Sequence, residues 1–317
     1  VLGPFDVLNL ETGTHGADFT GSVVTTDQPV AVFSGVECAD APYWDDLNER
    51  RCCCDHLESQ MVPRNTLGRR YIAVHFANRT RAVRAAGAMV GSVADEPEFV
   101  RVMATAPGVT TVRTSIPAMA IPEGDAGVFN PMAFTLRQGE SRTLRITTHF
   151  ELDASEPVYV ASFMASQLNT GISLNFPGGD PSFVPMPPIE QWREQYVFLT
   201  PDKYAFDFVT IVAAPTATVS LDDTVVPYRD CVSAPSDGCV ASRDHACPVP
   251  RYVVHTCQLS FPLVDNDRPY PNNVRPGLQR DGVHTVTANQ PVGVWVSGFD
   301  LRVSYGYPAG TRLQPLL

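Results

Sequence analysis

Eight cysteines, seven histidines and a scatter of acidic residues are the groups of this 317-residue chain that could do chemistry. The cysteines fall into two sets of four: Cys38, Cys52, Cys53 and Cys54, then Cys231, Cys239, Cys247 and Cys257. Zinc ligation, redox exchange or disulfide cross-linking could each use such sets. Structural zinc takes thiolates separated by two to four residues, so that both reach one tetrahedral ion. A zinc set drawn from Cys38, Cys52, Cys54 and His56 lacks that spacing, as does the second cluster with its gaps of 8, 8 and 10. A Cys-x-x-Cys redox pair is absent. Two local sets with even counts fit disulfides. Adjacent cysteines bridge only through a constrained ring. Cys38 is therefore expected to pair with one of the triplet, the second bond holding the remaining two or reaching elsewhere. Disulfides point to an oxidising compartment: extracellular, periplasmic or cell-surface.

Other chemistry finds less support. No Gly-x-Ser-x-Gly, His-Glu-x-x-His, phosphate-binding loop or dinucleotide fingerprint occurs. The seven histidines are scattered, and His75, His149 and His284 sit in strand-like runs that give them structural roles. Asp55-His56 could serve a nucleophilic cysteine, but an oxidised thiol does not attack. No paired carboxylates can be picked out, so a glycosidase is disfavoured. Calcium is the better-motivated ion, because Asp265, Asn266 and Asp267 offer hard oxygen ligands in one loop. Asp45 and Asp46 offer a second acidic turn. Neither is a full twelve-residue loop, and a solvated turn is the plainer reading of each. Asn78-Arg-Thr80 is a glycosylation sequon, relevant only in a eukaryotic secretory route. Tyr305 and Tyr307, in Arg302 to Gly310, are candidate ligand-binding aromatics, or else caps on the core.

The elements that must position these groups are strands. Hydrophobic residues make up 44% of the chain, enough for a core, and 28 prolines with abundant Val and Thr favour strands joined by turns. The net charge of −11 argues against nucleic acid and anionic membranes as partners. No apolar run approaches the ~18 residues of a membrane span. No leader is read at Val1, so an exported protein would be in processed form.

The chain repeats itself. "TTDQPVAVFSG" (Thr25 to Gly35), "DASEPVYVASF" (Asp153 to Phe163) and "TANQPVGVWVSGF" (Thr287 to Phe299) are alike. Their prolines, Pro29, Pro157 and Pro291, lie 128 and 134 residues apart. Each is expected to be the return strand of a hairpin, entered at Pro where the missing N–H costs no ladder bond. "LGRRYIAVHF" (Leu67 to Phe76) matches "WREQYVFLTP" (Trp192 to Pro201), and Glu98 to Arg113 matches Asp207 to Asp222. The period far exceeds that of a solenoid, so the repeats read as tandem domains. The first copy holds only the closing hairpin. "NFPGGDPSFVPMPP" (Asn175 to Pro188) reads as the linker. The best helical candidate is Asp46 to Met61, with Leu47, Cys54, Leu57 and Met61 near helical spacing.

Cys54-Asp55-His56-Leu57, Leu67-Gly68 with Tyr71, and "SYGYPAG" (Ser304 to Gly310) together resemble the N-terminal domain family of the IgGFc-binding protein. The resemblance covers about residues 10–310. Departures are Leu67 in place of Trp, the extra Cys52 and Cys53, and the four-cysteine insertion, which suggest a divergent, microbial member. The resemblance implies a secreted or cell-surface protein with adhesive or recognition modules, and it carries over no ligand residues.

The expectation is an all-β protein of tandem β-sandwich-like modules with disulfide-stapled loops. Residues 1–62 hold a hairpin and a Cys-rich segment that completes the sheet system. Residues 63–175 and 186–317 are the two modules, the second with a Cys-rich insertion at 228–257. The expected role is non-catalytic adhesion or recognition of an extracellular protein or glycan. The alternative is a structural subunit of a surface layer, fibre or appendage, its first module completed by a neighbour's strand. No cofactor is called for beyond the calcium noted above.

Overall fold

The computed structural model describes residues 2–14, 16–42, 52–117, 130–239, 247–269 and 271–316. β1 (Phe33–Ala39) and β2 (Asp55–Gln60) pair antiparallel as a two-stranded sheet of their own. The helix expected over Asp46 to Met61 is therefore not formed where it is described. Burial in β2 follows period two, with Leu57 inside and His56 and Glu58 outside. Leu57 and Met61, four apart, mimicked a helical stripe. The cysteine triplet precedes β2, and residues 43–51 lie outside the described residues, with Asp45 and Asp46 among them.

Eight strands build the first sandwich: β3 (Arg70–Ala73), β4 (Glu98–Ala104), β5 (Val109–Thr114), β6 (Ala133–Arg137), β7 (Ser141–Ile146), β8 (Phe150–Ala154), β9 (Val158–Met164) and β10 (Phe183–Pro185). One sheet has the order β3-β8-β5-β6 and the other β10-β9-β4-β7. Alternate residues of both point into one core, with Tyr71, Val112, Leu136 and Leu152 on one side and Val100, Val102, Leu144 and Val160 on the other. A short helix, α1 (Arg79–Ala85), follows β3. The Asn78 side chain caps it by accepting from the Arg81 N–H.

The second sandwich uses β11 (Arg193–Thr200), β12 (Phe206–Ala213), β13 (Val219–Leu221), β14 (Thr224–Val225), β15 (Cys231–Pro235), β16 (Val253–Gln258), β19 (Gly282–Asp300) and β20 (Val303–Pro308). β17 (Phe261–Val264) and β18 (Val274–Leu278) pair beside it. The first half of β19 pairs with β11 and β13, and its second half with β12 and β20. β8 and β9 do the same work in two pieces, β8 between β3 and β5, β9 between β4 and β10. The Pro-Val segments are thus not hairpins. At Pro157 and Pro291 the chain turns a corner from one sheet of the sandwich to the other. A proline suits that corner because its lost donor falls where the strand leaves one ladder and joins the next.

The two sandwiches share a buried contact. Along β12, Val209 and Ile211 face their own core, while Phe206 and Phe208 pack against α1 and Val212 joins the first core. β12 is consequently buried along its whole length. Trp192 and Trp295 meet edge to face at the same junction, their ring centroids 6.5 Å apart. Gly293 makes room for them, because a Cβ there would lie 2.7 Å from the Trp192 ring.

A tyrosine locks each corner. The Tyr71 hydroxyl accepts from the Gly68 N–H and donates to the Val158 carbonyl at 2.5 Å. The Tyr196 hydroxyl accepts from the Arg193 N–H and donates to the Val292 carbonyl at 2.5 Å. Both hydroxyls are buried, and burial pushes both pKa values up, so they stay neutral donors. Tyr71→Phe and Tyr196→Phe are each expected to lower the unfolding free energy by about 1–3 kcal/mol by orphaning a buried carbonyl. Urea melts of the two single variants check this, and the two losses should match.

Candidate binding surface

The groups singled out for chemistry are mostly consumed by structure. All eight cysteines are bonded: Cys38 to Cys54, Cys52 to Cys53, Cys231 to Cys257 and Cys239 to Cys247. None is left to hold zinc with His56, whose ring instead meets Glu58 on the exposed face of β2. Cys231 and Cys257 stand opposite one another in the β15–β16 ladder. Replacing both with Ala is expected to cost about 2–4 kcal/mol, the loop-closure entropy of a 26-residue span. Denaturant titration of the double variant measures it.

The carboxylate of Asp265 is shared by Arg268 at 3.1 Å and Arg275 at 2.9 Å, and it also accepts from the Asp267 N–H. Asn266 accepts from the Met89 N–H and donates to the Gly87 carbonyl, which latches this loop to the end of α1. Among the described residues no three His, Cys, Asp or Glu side chains group as metal ligands. Tyr305 and Tyr307 are half-buried in β20. The Tyr305 hydroxyl donates to Asp207 at 2.6 Å, and that of Tyr307 donates to the Leu199 carbonyl. The sequon residue Asn78 is half-buried with its amide on the Ala94 carbonyl.

What sequence reasoning missed is a cleft between the sandwiches, about 220 Å³ in volume. Arg70, Tyr71 and Ile72 of β3 and Glu151, Leu152 and Asp153 of β8 form one wall. Ile189, Ala214, Arg251 and Tyr252 form the other. Tyr252 stands edge to face on the buried Trp192, with ring centroids 5.3 Å apart. One rim is the Arg70–Glu190 pair at 3.3 Å. At the other, Arg251 reaches Glu151 and Asp153, the Asp153 contact at 3.2 Å. The cleft therefore offers an aromatic wall between two arginine–carboxylate rims, a surface suited to a polar ligand with an apolar part.

The Cys-rich insertion shapes this cleft. Ser236, fully buried just beyond β15, donates to Glu151 at 2.7 Å. The Ser115 hydroxyl donates to the Asp237 carbonyl. Gly238 has φ +71°, and a Cβ on it would fall 2.5 Å from the His149 carbonyl, so only glycine lets the loop approach this closely. No signal in the sequence marks these contacts. Glu151 lies in β8 and Arg251 in the Cys-rich insertion, and only the docking of the insertion joins them.

The fold, the four disulfides and the cleft define the class of protein: tandem β-sandwiches cross-linked by disulfides. The chain belongs to the IgGFc binding protein family, whose profile matches residues 1–298. A human IgGFc-binding protein is 31% identical over 80 residues, which is 25% of this chain and 1% of that protein. The chain thus spans only a small part of this curated relative. No solved structure matches the chain. No helix among the described residues is long and apolar enough to cross a membrane.

Proposed function

We propose that this is a secreted or cell-surface, non-catalytic recognition domain that binds a protein ligand in the cleft between its sandwiches. Family membership carries the reading: the human relative is named for binding IgG Fc. The four disulfides support an oxidising compartment. The cleft supports the binding mode, with Tyr252 as the apolar anchor and Arg70 and Arg251 as the polar rim. Glycans, the Asp265–Asp267 loop as a calcium site, and Tyr305 with Tyr307 as ligand contacts are lesser proposals, since those side chains already have internal partners.

Surface plasmon resonance of the whole chain against IgG Fc and a panel of extracellular glycoproteins tests the reading. Tyr252→Ala and Arg70→Ala are expected to weaken the ligand so found at least tenfold, roughly 1.4 kcal/mol. Retention of full affinity by both variants would remove the cleft from the account. The alternative reading, a subunit of a larger surface assembly, draws on the edge of β1 that no strand among the described residues pairs with.

A further inference from the structure

The first of the three Pro-Val repeats is built like the other two, yet among the described residues no strand covers its other edge. Phe33 pairs with Gln60 as Ala161 pairs with Pro185 and Trp295 with Pro308. The next residue closes each ladder with the same bond: the Met61 N–H donates to Val32, that of Met186 to Val160, and that of Ala309 to Val294. Those oxygens lie 2.8, 2.9 and 2.9 Å from their donors. Each closing strand then runs through a proline into a short 3-10 turn, or, after β20, into Ala309 and Gly310. β1 with β2 is thus a third copy of the pairs β9–β10 and β19–β20.

The two later copies are covered on their other edge, β9 by β4 and β19 by β12. Their outgoing halves lie between further strands, β8 between β3 and β5, and β19 between β11 and β13. Among the described residues, the first copy pairs with β2 alone. The consequence is read in matched positions. Val30 is 50% exposed, whereas Val158 and Val292 are each at 0%. Val24 is 62% exposed, whereas Leu152 is at 1% and Val286 at 0%. Among the described residues the segment is tied to the first sandwich by Arg101, which reaches Asp18 at 3.0 Å and the Thr20 hydroxyl, and Gly21 lies against Gly139. A bare, apolar, strand-forming edge is a template for another strand.

We propose that residues 17–39 are the corner-turning strand of a third sandwich, and that they dock a five-stranded half-module of this same family. That half-module presents strands of the β11, β12, β13, β14 and β16 kinds and lacks a long strand of its own. Its β12-type strand lies along β1 as β12 lies along β19, and its other sheet takes the outgoing residues before Pro29. The driving force is burial of Val24, Val30 and Phe33, side chains of the kinds that the two complete sandwiches bury at this place. The inference is independent of the cleft and of any ligand there.

The test places a second copy of residues 189–281, which carries β11 to β18, ahead of Val1 of the intact chain. Hydrogen–deuterium exchange is then compared with that of the parent. Amides of residues 23–38 are expected to exchange at least 100-fold more slowly in the fusion. Val30→Asp, at a position already exposed in the parent, should abolish that protection and leave residues 64–308 unchanged. Parental exchange rates in the fusion, or protection that survives Val30→Asp, would overturn the proposal. So would a dimer of the parent chain that Val30→Asp dissociates, since it would assign this edge to a second copy.

Discussion

Arg79→Met is expected to lower the unfolding free energy by about 3–5 kcal/mol, the usual cost of breaking a buried ion pair from one side. Arg79 opens α1 and is 4% exposed. Its guanidinium meets Glu96 at 3.3 Å and donates to the carbonyls of Gly178 at 3.0 Å and Ala165 at 2.9 Å. The partner is equally committed, since Glu96 accepts from the Thr80 N–H at 2.6 Å and from its hydroxyl at 2.8 Å. Methionine keeps the packing of the stem but leaves the buried Glu96 charge uncompensated and removes the Arg79 donor from its second oxygen and from two carbonyls. Adding Glu96→Gln removes the uncompensated charge, so the double variant should recover at least ~1 kcal/mol relative to Arg79→Met. Guanidinium unfolding of the four proteins in the cycle measures both quantities.

Asp180→Asn is expected to stabilise the protein at pH 8, by about 3 kcal/mol, and to leave it nearly unchanged at pH 4. Asp180 lies between β9 and β10. It is 1% exposed, and one of its carboxyl oxygens has no hydrogen-bond partner. Burial and then the charge of Asp55 push its pKa up to about 7, against the opposing pull of Arg79. The folded state therefore holds a proton that the unfolded chain, near 3.8, gives up more readily. Stability from this group is fully present below the unfolded value and is lost as pH rises through the folded one. Asparagine mimics the protonated form at every pH, so its advantage should grow across pH 4 to 7 and level off above. Asp207, raised to about 6 chiefly by burial, slopes the same way, and His149, lowered to about 3 by burial and by His75, slopes the opposite way. Subtracting variant from parent isolates Asp180. Urea melts at half-unit pH steps suffice, and equal stability of the two proteins at pH 8 would contradict the assignment.

The strands were legible because their residues alternate, and the modular order was legible because whole strands recur. Tyr71 and Tyr196 occupy matched places in the aligned repeats, and the structure gives them the same two bonds. The path of the Pro-Val segments was not legible. Whether a strand returns beside its predecessor or crosses to the facing sheet is decided by which neighbours cover it, and no local pattern encodes that choice. The helix over Asp46 to Met61 failed in its described part because Leu57 and Met61 fit both periods over so short a run. The cleft was illegible for a further reason. Glu151, Ser236 and Arg251 are far apart in sequence and meet only because the disulfide-held insertion docks on β8.

The long corner strand of the second sandwich fixes the order of its assembly during biosynthesis. β11, β12 and β13 leave the ribosome before β19, so Tyr196 waits for Val286 and Phe208 for Ser297. At about 5–20 residues per second, the two halves of the second sandwich stay apart for several seconds. Cys231 and Cys257 both precede Gly282, so an oxidase can join β15 to β16 before the closing strand emerges. The cross-link then pre-forms one flank of the seat, and β19 joins both sheets at once before β20 is added along its far edge.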